Sequence, residues 1–144
     1  MPRANCEPDR RGAPLVALAN KKDPHHIRCA TSAKTLPKAP LLTTWPCFTE
    51  AMYLLHREGG YRAQEELWHL WRKGIVRMHS LTEIETDRMD ALMREYRDTP
   101  MDIADASLVA VAESLRLTRI FTLDHHFRAY RIHSSGVFEV VPSF

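Results

Sequence analysis

An α/β fold, with helices on both faces of a mostly parallel sheet, follows from three observations. Apolar segments of strand character alternate with segments of helical period, which is the pattern of βαβ units. Glycine and proline punctuate nearly every change from one to the other. Acidic residues fall where strands end and helices begin, the edge at which open α/β sheets place their ligands. The expected architecture is a three-layer α/β/α sandwich in a single domain spanning residues 1–144.

The elements read in order as follows. The stretch "MPRANCEPDRRG" is polar and lacks an apolar strand. "APLVALAN" (13–20) opens a helix, with Pro14 suited to its first turn. Asp23-Pro24 interrupts, and "HHIRCATSAKTL" (25–36) forms a second helix before the loop "LPKAP" (36–40). "LLTTW" (41–45) has strand character and is ended by Pro46. "CFTEAMYLLHRE" (47–58) is a helix stopped by Gly59-Gly60, and "YRAQEELWHLWRKG" (61–74) is another, stopped by Gly74.

"IVRMHSL" (75–81) alternates as a strand does, and 82–98 is an amphipathic helix with Ile84, Met89, Leu92 and Tyr96 on its apolar stripe. Pro100 breaks it. Residues 103–116 are the most apolar helix, "RIFTL" (119–123) is a strand, and "GVFEVVP" (136–142) closes the chain as the last one.

Bulk properties exclude several classes. The chain has 144 residues, 44% hydrophobic and 26% charged, which is ordinary for a globular protein with its own core. A net charge of +2 permits nucleic-acid binding without predicting it. Cys6, Cys29 and Cys47 are odd in number and lack CxxC spacing, against a zinc site or a disulfide framework. The run "APLVALA" is too short to cross a membrane, and no secretory h-region follows the N-terminus. A cytoplasmic protein with no membrane partner is expected.

Geometry then predicts which acids meet. A helix over 103–116 descends roughly 20 Å at 1.5 Å per residue. A strand over 119–123 climbs back about 16 Å at 3.3 Å per residue. Asp105, in the first helical turn, and Asp124, just past the strand, therefore end on one edge. Glu50, early in the helix after "LLTT", reaches the same edge. Clustered carboxylates repel one another, and a hard divalent cation such as Mg²⁺ or Mn²⁺ resolves the repulsion. Such an ion can activate water and stabilise charge on a phosphate, so the implied chemistry is phosphodiester hydrolysis. The structural reading of each acid stands beside this one. Asp102 and Asp105 have N-cap and N3 spacing, and acids there suit the helix dipole.

Four stretches carry a family resemblance. "PLVALANKKDPHH" (14–26), "LLTTWPCFTEAMYLL" (41–55), "MREYRDTPMDIADASLVAVAE" (93–113) and "RIFTLDHHFRAYR" (119–131), with the terminal "FEVVP", resemble PIN-domain proteins, especially VapC-type toxins of toxin–antitoxin pairs. The resemblance implies a PIN-like fold and Mg²⁺- or Mn²⁺-dependent endoribonuclease activity on RNA. In the toxin branch it also implies a VapB-like antitoxin and a homodimer. By position, Glu50, Asp105 and Asp124 match the family's acidic residues as catalytic and metal-binding groups, and Asp102 matches an additional acid beside the third.

The departure lies at the front. The family opens with an apolar strand ending in aspartate, in a "D-T-G-P-L" or "D-S-G-P-L" pattern. This chain reads "RRGAPL", with Arg11 at the expected acid and Asp9 two residues early. Arginine for aspartate changes the local charge by about two units. The alternative reading is therefore a degenerate PIN domain that binds an antitoxin or RNA without cleaving it.

Other residues are read as structural or solvated. His25-His26 and His125-His126 lack helical ligand spacing, although the second pair could order the loop after Asp124 or touch a phosphate. Trp68 and Trp71, at i, i+3, belong to a core or an oligomer face. Among the arginines, Arg128 and Arg131 are the better placed for an RNA backbone.

Overall fold

The computed structural model describes residues 13–35 and 40–141. Asp9, Arg11 and Cys6, which bear on the expectations above, lie outside the described residues. Helix α1 (Ala13–Ala19) and α2 (His26–Thr35) come first, then strand β1 (Leu41–Thr43) and the long α3 (Trp45–Arg72). Strand β2 (Val76–Met78) leads to α4 (Glu83–Glu95) and α5 (Ile103–Leu115). Strand β3 (Arg119–Phe121), a short 3-10 helix (His125–Arg128), and strands β4 (Arg131–Ile132), β5 (Gly136–Val137) and β6 (Glu139–Val141) complete the order.

Among the described residues the strands form two parallel ladders and one hairpin. β1 pairs with β2 in the register Thr43 to Met78, and β3 pairs with β6 in the register Ile120 to Val140. β4 and β5 are antiparallel. The parallel pairs and the helices around them give the α/β class the sequence predicts. Leu41, Ile120, Phe121, Leu108 and Val111, from β1, β3 and α5, line an apolar groove of about 310 Å³.

The core has two main parts. One joins α4, α5, β3 and the chain after it, with Leu92, Val109, Phe127 and Tyr130 buried together. The other joins α1 to α3 and β2 through Leu15, Val16, Phe48, Leu55, Leu67 and Val76. A third, small cluster of Ala17, Cys29 and Leu123 ties α1 and α2 to the end of β3, directly before Asp124.

Several expected boundaries move, each for a physical reason. Pro46 does not stop a strand; it sits in the first turn of α3, where its missing N–H costs nothing. The strand ends at Thr43 and Trp45 is already helical. Gly59-Gly60 does not separate two helices but kinks one: Gly60 has φ +65° and ψ −153°, and the helical path resumes to Arg72. The last strand is two short ones, β5 turning back on β4 and β6 joining β3. His133 and Ser134 take positive φ in that hairpin, a turn without the usual glycine.

Ile84 leaves the stripe assigned to it. It is 82% exposed, whereas Glu85 beside it is buried. A capping box explains the exchange. The Glu85 N–H donates to Thr82 Oγ1 at 3.1 Å, and the Thr82 N–H donates to Glu85 Oε1 at 2.9 Å. His79 Nε2 lies 2.9 Å from both carboxylate oxygens.

Burial alone would raise the Glu85 carboxyl. The Thr82 and His79 hydrogen bonds overcome it and hold the group at about 2, below its ordinary 4.5. A depressed acid stabilises the fold fully above the unfolded value and loses that contribution as pH falls from about 4.5 toward 2. The loss is expected to reach about 3 kcal/mol. Urea melts at pH 3 and pH 6 check it, since Glu85→Gln should flatten this part of the pH dependence while keeping the capping geometry.

Candidate active site

Two helix starts and one strand end build the site. Thr44, the N-cap of α3, makes no side-chain cap bond. Its Oγ1 instead lies 2.6 Å from Ser107 Oγ, buried between α3 and α5. Cys47 Sγ is 3.7 Å from Ala104 O, so the first turns of the two helices lie side by side. Burial pushes the Cys47 thiol up to about 12. Hydrogen bonds to Thr44 and Ser107 oppose this, while the Asp105 and Glu50 carboxylates add to it. A thiol held neutral is a poor nucleophile, so Cys47 is packing.

Asp105 is fully buried at the third position of α5. Its N–H donates to Asp102 Oδ1 at 2.9 Å, and the Asp102 N–H reaches Asp105 Oδ2 at 3.4 Å. Asp102 is therefore the cap of α5, as its spacing suggests, and also the half-buried neighbour of the site. Buried Tyr130, from the chain after the 3-10 helix, completes this corner. Its hydroxyl is 3.1 Å from Asp105 Oδ2 and 3.0 Å from Pro100 O, and its one proton serves one acceptor at a time. Burial, then Asp105, then Asp124 and Asp102 drive the Tyr130 hydroxyl far above its usual value. Tyr130 thus keeps its proton and serves as a donor.

Asp124 caps the 3-10 helix. Its Oδ1 accepts from the His126 N–H at 2.9 Å and from His126 Nδ1 at 2.7 Å. The Asp124 N–H is held by Thr122 Oγ1 at 3.0 Å. The loop is thereby fixed on both sides of the carboxylate, and of the two readings open for this histidine the structure shows loop ordering. Of the His25-His26 pair, the His26 ring is structural, with Nδ1 2.6 Å from Ala17 O, and the His25 backbone N–H donates to Asp23 Oδ1 at 2.8 Å. Trp68 packs on the α1–α3 core, while Trp71 is largely exposed.

By donor type the site suits a hard divalent cation, since all four candidates are carboxylates and Glu50 Oε2 and Asp105 Oδ1 are shielded from solvent. Among the described residues, no three His, Cys, Asp or Glu side chains close on one point as a ready metal cage. What is present is the buried Asp105, joined to Asp102 by the capping box and to the Tyr130 hydroxyl. Tyr130 and Thr44 had no sequence signal, because each matters through a partner from another element.

A PIN-like fold with buried acids at helix starts and at a strand's carboxyl end defines a class, and the comparisons agree. The PIN domain family model matches residues 14–132. The chain belongs to the PIN domain family. It is 27% identical over 133 residues to Ribonuclease VapC26 of Mycobacterium tuberculosis, covering 89% of this chain and 95% of that one. The crystal structure of Mycobacterium tuberculosis VapC20, a Sarcin-Ricin loop cleaving toxin, superposes with a TM-score of 0.68 at 19% identity. That match covers 75% of this chain and 82% of the other, and supports the fold. The expected likeness to VapC-type proteins is met.

Proposed function

We propose that this chain is a divalent-metal-dependent endoribonuclease and the toxin of a type II toxin–antitoxin pair. The observation that carries the reading is the fully buried Asp105 at the start of α5, held by Asp102 and by the Tyr130 hydroxyl, in a PIN-domain chain. Asp105, Asp124 and Glu50 would hold Mg²⁺ or Mn²⁺, and Asp102 would assist. When bound, such a cation lowers the pKa of water and offsets charge building on the phosphate.

The chain's own residues do the rest. Tyr130 keeps Asp105 oriented and does not lose its own proton to it. Asp102 fixes the backbone that carries Asp105, and His126 fixes Asp124. Cys47, Thr44 and Ser107 form a dry floor that holds the two helix starts together. The proposal extends to an RNA substrate, a VapB-like antitoxin, a homodimer and a cytoplasmic setting. Among the described residues no helix is long and apolar enough to cross a membrane.

Arg11, at the position of the family's first aspartate, favours a second reading in which the domain binds without cutting. One assay separates the two. RNA cleavage is measured with Mn²⁺, with Mg²⁺ and with a chelator, for the chain and for Arg11→Asp. Cleavage by the chain that chelation abolishes supports the nuclease. No cleavage by the chain, with cleavage by Arg11→Asp, establishes the degenerate domain.

A further inference from the structure

Tyr130 joins two parts of the chain that each carry one of the site's acids. Its backbone is tied to the loop of Asp124. The Phe127 N–H donates to Asp124 O at 3.4 Å, and the Ala129 and Tyr130 N–H groups both donate to His126 O, at 2.8 and 3.2 Å. His126 is in turn held on Asp124 Oδ1. The Tyr130 side chain ends at the start of α5, with its hydroxyl 3.1 Å from Asp105 Oδ2 and 3.0 Å from Pro100 O. The ring between these two ends is fully buried and meets Tyr96 at 5.2 Å and Phe127 at 5.1 Å, both edge to face.

We propose that Tyr130 is a positioning residue for the cation, a strut that fixes Asp105 relative to the Asp124 loop and so sets how tightly a divalent ion is bound. The inference rests on the metal-dependent reading and adds the residue that tunes it. A carboxylate on a helix start can turn about its side-chain bonds, and each turn moves the oxygen it offers to an ion. The Tyr130 hydroxyl removes that freedom, because a charged acceptor draws its one proton more strongly than the Pro100 carbonyl does. The Asp102 N–H, 3.4 Å from the same oxygen, acts in the same sense. Donors that orient a metal-binding side chain are typically worth roughly ten- to a hundredfold in metal affinity. Tyr130 therefore acts on cleavage through the ion, and leaves contact with the RNA to other residues.

The test titrates Mn²⁺ into the full chain, into Tyr130→Phe and into Tyr96→Phe, with the free ion followed by electron paramagnetic resonance. Tyr130→Phe keeps the ring and deletes the hydroxyl. Tyr96→Phe is the matched control, since its hydroxyl belongs to the same ring stack but accepts from the Arg131 N–H at 3.0 Å instead of holding an acid. Tyr130→Phe is expected to weaken Mn²⁺ binding roughly tenfold and Tyr96→Phe to leave it unchanged, with similar melting temperatures for the two variants. In RNA cleavage, Tyr130→Phe should need more Mn²⁺ for half activity, recover kcat in excess Mn²⁺ and keep the parent's KM for RNA.

Equal Mn²⁺ affinity of the parent and Tyr130→Phe overturns the proposal and leaves the ribonuclease reading standing. An equal loss in both variants also overturns it and assigns the effect to loosened packing. A parent that binds no Mn²⁺ overturns the proposal together with the metal-dependent reading. Weaker binding in Tyr130→Phe alone, with no RNA cleavage by the parent in Mn²⁺, keeps the strut and removes the nuclease reading.

Discussion

Replacing Asp105 by Asn is expected to lower RNA cleavage by about a hundredfold or more while leaving the fold intact. The two halves of that result have separate causes. Asn has nearly the same shape, and its Oδ1 can still accept from the Asp102 N–H or from the Tyr130 hydroxyl, which now reach Asp105 Oδ2. Its backbone N–H still bonds Asp102 Oδ1, so the start of α5 is preserved. What disappears is one fully buried negative charge. If that charge serves a cation, activity falls with it; if Asp105 is only a capping residue, activity stays. Steady-state kcat/KM beside a thermal melt reads both. Asp124→Asn should behave alike, because the amide oxygen can still accept from the His126 N–H. Loss in one variant and full activity in the other would break the proposed set.

The largest stability effect is expected at Phe127. It is fully buried, with ring contacts to Tyr130 at 5.1 Å and to Phe138 at 5.7 Å. Tyr130 in turn meets Tyr96 at 5.2 Å, so one ring stack links the 3-10 helix, α4 and the chain leading into β6. Phe127→Ala removes the central ring and leaves a cavity that these aromatic neighbours cannot close. The expected cost is about 3–5 kcal/mol, seen as a fall in Tm of roughly 10 °C. Phe127 also follows Asp124 by three residues and packs on the tyrosine that orients Asp105. Cleavage should therefore drop in Phe127→Ala even well below its melting point, whereas Phe127→Leu should keep most activity. A shift under about 1 kcal/mol for the alanine variant would contradict the packing described.

Much of this could be read from the chain. The apolar run 103–116 and the strand after it carry their own periods, and Asp102 and Asp105 announce a capping box by spacing alone. Connection geometry then predicts one edge for Asp105 and Asp124. Failures cluster where a local signal has two structural solutions. A Gly-Gly pair can end a helix or kink it, and here the apolar faces on both sides of Gly60 pack on the same core. Ile84 and Glu85 differ by one position, and His79, from the end of β2, decides which of them is buried. The short β4–β5 hairpin escaped because its turn uses His133 and Ser134 at positive φ, where a glycine would have marked it.

The sequence by itself determined the α/β class, the order of most elements and the capping pair Asp102 and Asp105, because periodicity, capping and strand direction are local properties. Only the tertiary structure decided what surrounds those acids. Tyr130 reaches Asp105 across 25 residues and Ser107 meets Thr44 across 63. Such contacts depend on how elements pack, and packing is set by the whole core at once rather than by any stretch of the chain.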